Sequence, residues 1–185
     1  MTQSFFEKPI LNSPYAYPAR HWELDGEGQP THRLIDHRRR AEFVTPIPKS
    51  KKRKQTAVQQ ELIFNEAKTI STDQQRYAKT AEMINVVRQY VDKWRQLPNP
   101  ADWKVTPETA RLLEHWRHHK FSGVRPFFCQ VEAVETAIWL TEVAPLLGKA
   151  TAPILEYLNT ANENANPGLS RLALKLATGA GKTPT

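Results

Sequence analysis

Between residues 73 and 98, apolar side chains recur at intervals of three and four residues, with charged side chains between them. This period places the apolar positions on one stripe of an α-helix. The stripe consists of Tyr77, Ala81, Ile84, Val87, Val91, Trp94 and Leu97. Pro98 and Pro100 then end the helix, because proline lacks the N–H that an α-helix requires and its ring clashes with the preceding turn.

Two further helical patterns follow. Thr106 and Pro107 are typical of a helix start, with a side-chain cap followed by proline in the first turn. The buried side of this second helix is predicted to consist of Leu112, Leu113 and Trp116. A third helix is predicted after the stretch RPFFCQ, with an end near Pro145. Its apolar register comprises Phe127, Val131, Val134 and Ile138.

The first part of the chain lacks such periodicity. Residues 1–60 are rich in proline and predict short extended pieces and turns, and AEFVTPIP permits an edge strand at most. The sequence thus divides into a basic, proline-rich leader at 1–60, extended or partly disordered, a helical region at 61–121, and a third part at 122–185. The predicted fold class is mainly α, with helical segments and short strands.

The charge of the leader changes this picture. The chain has a net charge of +7, and residues 33–54 contain nine lysines and arginines but two acids. Such density makes this stretch a candidate for contact with phosphates or another polyanion. The residues predicted to make that contact are Arg38, Arg39, Arg40, Lys51, Lys52 and Arg53. The run PKSKKRK is also compatible with a charged linker, and it has the composition of a nuclear-import signal.

Cysteine usage and hydropathy indicate the compartment. Cys129 is the single cysteine, which excludes an internal disulfide and is typical of a reducing environment. The apolar runs are far shorter than the roughly 20 residues of a membrane span, and the first residues do not form a signal peptide. We therefore expect a cytoplasmic protein without a membrane partner.

The clearest chemical motif lies near residue 180. RLALKLA is compatible with a buried strand, and TGAGKT follows it directly, in the order that a phosphate-binding loop requires. Gly179 and Gly181 would let the backbone curl so that N–H groups face phosphate oxygens. Lys182 would reach the β- and γ-phosphates of ATP, and the hydroxyl of Thr183 would bind Mg²⁺. The predicted loop comprises Thr178, Gly179, Ala180, Gly181, Lys182 and Thr183; the alternative is a chance Gly-Lys-Thr turn.

Two motifs together resemble superfamily 2 helicases. LATGAGKT resembles their phosphate loop, which commonly lacks the first glycine of G-x-x-x-x-G-K-S/T, and Leu176 stands at that position here. RPFFCQVEAVETAIWL resembles their Q motif, in which a glutamine reads adenine through its amide. The resemblance assigns adenine recognition to Gln130, with Phe128 or Phe127 against the base and Arg125 nearby. Gln130 follows Arg125 by five residues, where the family spacing is commonly three. From the residues alone, Gln130 is equally a polar helix start beside aromatic side chains.

The leader narrows the resemblance. ILNSPYAYPARHWELDGEGQPTHRLIDHRRRAEFVTPIPK is similar to the first block of DEAD/DEAH-type helicases related to the Res subunit of type III restriction enzymes. This resemblance implies an α/β RecA-like P-loop domain beginning in 122–185, and an ATP-dependent DNA helicase or translocase of a restriction–modification system. A modification methyltransferase is then a candidate partner. In that family the chain continues far beyond the loop, so a fragment that does not hydrolyse ATP alone is expected. The alternative is a non-enzymatic basic DNA-binding or assembly module.

Two other groups of side chains could carry chemistry. His115, His118 and His119 have spacings that can seat a metal, but neither a cysteine nor a nearby acid completes a set of ligands. A basic, solvent-facing or DNA-facing helix is therefore favoured. Cys129 lies among aromatic residues and is interpreted as a small buried hydrophobic residue rather than a nucleophile.

Overall fold

The computed structural model describes residues 5–42, 77–176 and 180. Within these ranges the chain is mainly α-helical, with two short strands, as the periodicity predicted. It forms two compact units. The first comprises Met1–Asn12 and Pro18–Val86, and the second comprises Ser13–Tyr17 and Val87–Thr185.

The first unit contains an antiparallel hairpin of β1 (His21–Leu24) and β2 (Pro30–Ile35), in which Trp22 pairs with Leu34. The carboxylate of Asp25 closes the turn by accepting hydrogen bonds from two backbone N–H groups, those of Glu27 at 2.9 Å and Gln29 at 2.8 Å. The hairpin lies where the sequence predicted extended pieces and turns.

Trp22 provides the buried centre of this hairpin. Its indole Nε1 donates to the carbonyl oxygen of Lys8 at 3.1 Å, and Phe5 packs edge-on against its ring at a centroid distance of 6.1 Å. The residues that precede β1 are thereby tied to the hairpin. A buried indole requires such a polar partner, because an unpaired buried N–H is costly.

The first helix, α1, covers residues 77–95. The predicted stripe is confirmed at Val87, Val91 and Trp94, which are buried, whereas the predicted last member, Leu97, lies beyond the end of the helix and is 37% exposed. In the first half, the side chains of Tyr77 and Ile84 are 54% and 42% exposed. The stripe therefore contributes to a core only from Val87 to Trp94, in the part of the helix that belongs to the second unit. The predicted helical residues before 77 lie outside the described ranges.

A short 3₁₀ turn at Pro100–Trp103 leads to α2 (Pro107–His118). The predicted start of α2 is confirmed, since the Thr106 side chain accepts the N–H of Thr109 and proline occupies the first turn. Leu113 is fully buried, but the prediction for Leu112 is wrong, since 51% of its surface is exposed. Successive helical residues differ by about 100° around the axis, so a narrow contact buries one of two adjacent leucines.

The third helix, α3 (Phe128–Ile138), continues through a π-helical turn at Trp139–Val143 into a 3₁₀ segment at Ala144–Ala150. The backbone of Gly148 is not helical (φ 58°), so the chain kinks there before α4 (Ala152–Ala165) begins. The extra residue of the π-helical turn shifts the register, so Trp139, Leu140 and Val143 are buried after α3. Within α3 the buried residue is Glu135, whereas Val134 is partly exposed. The predicted apolar register is therefore wrong at Val134, whereas Phe127, Val131 and Ile138 are half-buried.

The predicted strand RLALKLA is not formed. Residues 171–176 have no regular secondary structure, and the side chains of Leu172 and Leu174 are 40% and 46% exposed. A strand needs a neighbour for its backbone groups, and the described residues contain no sheet besides the β1–β2 hairpin. The possible edge strand in AEFVTPIP falls mostly outside the described ranges.

Candidate functional site

The start of α3 carries the glutamine that the helicase resemblance assigns to adenine. The amide Oε1 of Gln130 accepts the backbone N–H of Phe127 at 2.7 Å. This is the geometry of a capping glutamine, which satisfies one of the free N–H groups at a helix start. Gln130 therefore acts as a polar helix-capping residue, which was the alternative interpretation of the sequence. To reach a base, its Oε1 would have to give up the capping hydrogen bond.

A segment distant in sequence, Ser13–Tyr17, belongs to the same unit and packs on the start of α3. The carbonyl oxygen of Pro14 accepts the N–H of Phe128 at 2.8 Å. The ring of Tyr15 lies 5.3 Å from that of Phe127, and the ring of Tyr17 lies 5.5 Å from that of Phe128. The NSPYAY stretch carries the family resemblance, but nothing in its local pattern indicated this contact.

The two other residues assigned near the base have aromatic and charged neighbours. The guanidinium of Arg125 lies 4.1 Å from the centre of the Tyr15 ring, within the range of a cation–π contact. Phe128 has the guanidinium of Arg95 at 5.2 Å from its ring centre. Tyr15 and Tyr17 are therefore the residues that the sequence analysis missed in this cluster.

The glycine loop is represented by Ala180 among the described residues. The thiol of Cys129 lies 3.7 Å from the carbonyl oxygen of Ala180, within reach of a weak S–H···O hydrogen bond. This contact brings the start of α3 next to Ala180. Cys129 is half-buried, where the sequence predicted a buried residue, and its sulfur lies against the Ala180 carbonyl. The remaining predicted loop residues, Thr178, Gly179, Gly181, Lys182 and Thr183, lie outside the described ranges.

In the first unit, the described arginines predicted to contact DNA, Arg38–Arg40, follow β2 after Asp36 and His37. Asn85 of α1 holds the chain after them, since its amide accepts the N–H of Ala41 at 2.8 Å and donates to the Ala41 carbonyl at 2.9 Å. These two hydrogen bonds resemble those of a residue pair in a β-sheet. They fix the position of Ala41, the residue that follows Arg40. Arg39 and Arg40 form no ion pair with any described residue. Lys51, Lys52 and Arg53 lie outside the described ranges.

The second unit contains a buried charge cluster that the sequence did not reveal. Glu135 is fully buried, and its two carboxylate oxygens accept from Nε of Arg95 at 2.6 Å and Nε of Arg117 at 2.9 Å. Arg95 also pairs with Asp92 at 2.6 Å. The cluster joins α1, α2 and α3 through charges that are mutually compensated.

Aromatic rings enclose one side of this cluster. The guanidinium of Arg117 lies 5.1 Å from the ring centre of Trp94 and 4.6 Å from that of Trp103. The indole N–H groups are also paired, since Trp94 donates to the Trp103 carbonyl and Trp103 donates to the Leu97 carbonyl, each at 2.9 Å. These contacts indicate that the cluster has a structural role, which is to hold α1, α2 and α3 together.

The three histidines of α2 and its end do not form a metal centre. The rings of His115 and His119 are stacked at a centroid distance of 4.5 Å. Among the described residues, no group of three or more histidines, cysteines or acids is placed to hold a metal ion. In the same ranges, no helix has the length and apolar character that crossing a bilayer requires.

Comparison of the chain with models of known protein families, with curated proteins and with solved structures finds no match. The assignment of function therefore depends on the residues and contacts described above.

Proposed function

We propose that this chain is the N-terminal part of an ATP-dependent DNA helicase or translocase related to the Res subunit of type III restriction enzymes. In this proposal it supplies adenine recognition through Gln130 and the phosphate-binding loop around Lys182, with Thr183 on Mg²⁺. The third part of the chain, 122–185, begins a RecA-like domain. The leader contacts DNA, and a modification methyltransferase is the candidate partner.

The observation that supports this proposal best is the 3.7 Å contact between Cys129 and Ala180. The residues at its two ends are 51 positions apart in sequence, yet one belongs to the stretch resembling a Q motif and the other to the glycine loop. An ATP site needs both, because the base and the phosphates belong to one small ligand. A chance Gly-Lys-Thr turn gives no reason for this neighbourhood.

The capping role of Gln130 makes the proposal sharply testable. Adenine presents a donor at N6 and an acceptor at N7, and an amide satisfies both. Glutamate at the same position accepts the capping N–H as well as glutamine does, but it lacks the amide donor. Gln130→Glu therefore separates the two roles, since it retains the cap and removes half of the adenine contact.

The experiment is an NMR titration of the isotope-labelled 185-residue chain with Mg²⁺–ATP and, in parallel, Mg²⁺–GTP. We expect weak, adenine-selective binding whose shift changes concentrate at residues 127–130 and 178–183, and no hydrolysis, because phosphoryl transfer needs more groups than a phosphate loop. Gln130→Glu should keep the thermal midpoint and lose the preference for ATP over GTP. Gln130→Ala should lose that preference and also about 1 kcal/mol of stability.

Lys182→Ala provides the control for the phosphate end of the site. It should remove the shift changes for both nucleotides, since both present the same triphosphate to the lysine. Because Cys129 is the single cysteine, its rate of alkylation gives a second readout, and bound nucleotide should slow it. Shift changes that persist in Lys182→Ala, or an unchanged ATP preference in Gln130→Glu, would refute the assignment of the site.

The competing proposal is a non-enzymatic basic DNA-binding or assembly module. The observation that favours it is the engagement of Gln130 Oε1 in the helix cap, because a capping glutamine needs no nucleotide to explain it. This alternative expects DNA binding by the chain without any Lys182-dependent response to ATP. The same titration therefore distinguishes the two functions.

A further inference from the structure

Two histidines of the first unit meet at the end of the hairpin opposite its turn. His21 begins β1, and His37 follows β2 by two residues. Their ring centres are 5.1 Å apart, with the planes at 61°. The hairpin register explains this proximity, since His21 pairs with Ile35.

Backbone carbonyls determine the tautomer of both rings. Nδ1 of His21 lies 2.7 Å from the carbonyl oxygen of His37, and Nδ1 of His37 lies 3.0 Å from that of Arg38. A carbonyl oxygen can only accept, so each Nδ1 must carry the hydrogen. Nε2 is then the atom that gains a proton when either ring becomes charged, and that proton is not needed for any of these contacts.

The charged groups around this pair leave it in a basic setting. On β1 and β2, the acids are already paired: Glu23 with Arg33 at 3.5 Å, and Asp36, after β2, with Arg20 at 3.0 Å. Beyond His37 the chain continues with three arginines, Arg38, Arg39 and Arg40, and one acid, Glu42. A proton added to either ring therefore increases an existing excess of positive charge.

We propose that His21 and His37, with Arg38–Arg40, form a site for the phosphates of nucleic acid whose affinity is set by pH. The inference rests on the proposed DNA contact of the leader and names further residues for it. When charged, each imidazolium keeps its Nδ1–H on the carbonyl and presents Nε2–H to a phosphate oxygen. Such charge-assisted hydrogen bonds are about twice as strong as neutral ones.

A polyanion is a better occupant than a metal cation. Histidines whose Nδ1–H groups are held by carbonyls also occur as metal ligands. However, the described residues supply no third ligand to these two, and a cation would be repelled by the adjacent arginines. Nucleic acid, in contrast, would be attracted by these arginines. Residues 33–54 carry an excess of positive charge, and nucleic acid carries one phosphate per nucleotide.

The test measures binding of a labelled oligonucleotide duplex by fluorescence anisotropy at about pH 8 and about pH 6, the interval in which histidine gains its charge. The unmodified chain should bind roughly tenfold more tightly at the lower pH. Its slope of log affinity against log salt should also steepen, by about 0.9 for each additional phosphate that the charged rings neutralise. The double variant His21→Gln/His37→Gln should retain the affinity and slope of the higher pH and lose both increases.

Other histidines provide matched controls. His32 lies in the same hairpin, but its Nδ1 accepts the N–H of Phe5, and its positive φ of 46° suits asparagine, so His32→Asn is the control there. His115→Gln/His119→Gln is the control in the second unit. Both should keep the full response to pH. The indole N–H resonance of Trp22 reports whether the hairpin remains folded in each variant.

The outcomes distinguish this inference from the function on which it rests. A pH response that survives in His21→Gln/His37→Gln, or that disappears in either control, would overturn the assignment to this pair. DNA binding that does not change with pH would refute the histidine site, but it would not contradict the proposed DNA contact of the leader. Failure to bind at either pH would overturn both, whatever the titration with ATP shows.

Discussion

Arginines have different surroundings in the two units of this chain. In the second unit, Arg95 and Arg117 are nearly buried and share the carboxylate of Glu135. In the first unit, Arg39 and Arg40 follow a strand and form no ion pair with any described residue. The difference lies in what surrounds each guanidinium: aromatic rings and a buried carboxylate lie around Arg117, whereas Arg40 is exposed and Arg39 is half-buried without a paired acid among the described residues.

This difference indicates which arginines have a positive charge available for binding. A buried guanidinium that has been removed from water is stable only while its partner carboxylate remains, so it is committed to the fold. An exposed guanidinium contributes little to stability and remains free to neutralise a phosphate. The net charge of a sequence does not separate these two uses.

Removing the shared carboxylate should give the largest effect. Glu135→Ala leaves Arg95 and Arg117 without the partner they share and opens a cavity between three helices. We expect a loss of about 3–5 kcal/mol in the free energy of unfolding, measured by urea denaturation. The exposed Glu156 of α4 offers a matched control, and Glu156→Ala should change that free energy by less than about 0.5 kcal/mol. Equal effects of the two substitutions would contradict a structural role for the cluster.

A half-buried acid should give an intermediate effect. The carboxylate of Glu142 accepts the N–H of Thr106 at 2.8 Å and the hydroxyl of Thr109 at 2.7 Å, so it caps α2 from the π-helical turn. Glu142→Ala should cost about 1–2 kcal/mol, because it removes two charge-assisted hydrogen bonds at a helix start.

Glu108 provides the control for this capping effect. It also lies in the first turn of α2, but it forms an exposed ion pair with Arg111 at 3.6 Å. Exposed pairs are worth little, so Glu108→Ala should lower the thermal midpoint much less than Glu142→Ala. A larger loss from Glu108→Ala would show that helix-dipole charge alone, and not the contacts of Glu142, stabilises this end of α2.

The features that could be predicted from the sequence are those that depend on neighbouring residues. The start of α2 was predictable because Thr106 and Pro107 act on their own turn. Glu135 was not predictable, because its burial depends on Arg95 and Arg117, which lie on two other helices. The strand predicted at 171–176 was wrong for a similar reason, since a strand forms only with a neighbour.

The candidate site shows the same division. The capping geometry of Gln130 was within reach of the sequence, since glutamine three residues after a helix start is a known local pattern. The packing of Tyr15 and Tyr17 on Phe127 and Phe128 joins segments more than 100 residues apart, and no periodicity or local motif indicates it. The His21–His37 pair likewise depends on the register of the hairpin.

The smallest effect on stability per substitution should accompany a large effect on binding. Replacing the six predicted DNA-binding residues, Arg38, Arg39, Arg40, Lys51, Lys52 and Arg53, with glutamine should change the free energy of unfolding by less than about 0.5 kcal/mol per site. The same variant should bind all DNA sequences more weakly, because phosphate contacts carry no sequence information. Its slope of log affinity against log salt should flatten by about 0.9 for each phosphate of duplex DNA that the variant no longer neutralises.

The slope of log affinity against log salt tests whether the charges of the leader neutralise DNA phosphates. Counterion release depends on the number of phosphates neutralised, so a loss of affinity with an unchanged slope would mean that the substitutions disturbed the fold instead of the interface with DNA. Arg111→Gln, which removes an exposed arginine of the second unit, should leave both the affinity and the slope as they are. If Arg111→Gln flattened the slope as much per residue as the leader substitutions did, the positive charge that matters would belong to the whole surface, and the leader would lose its assignment as the DNA-binding segment.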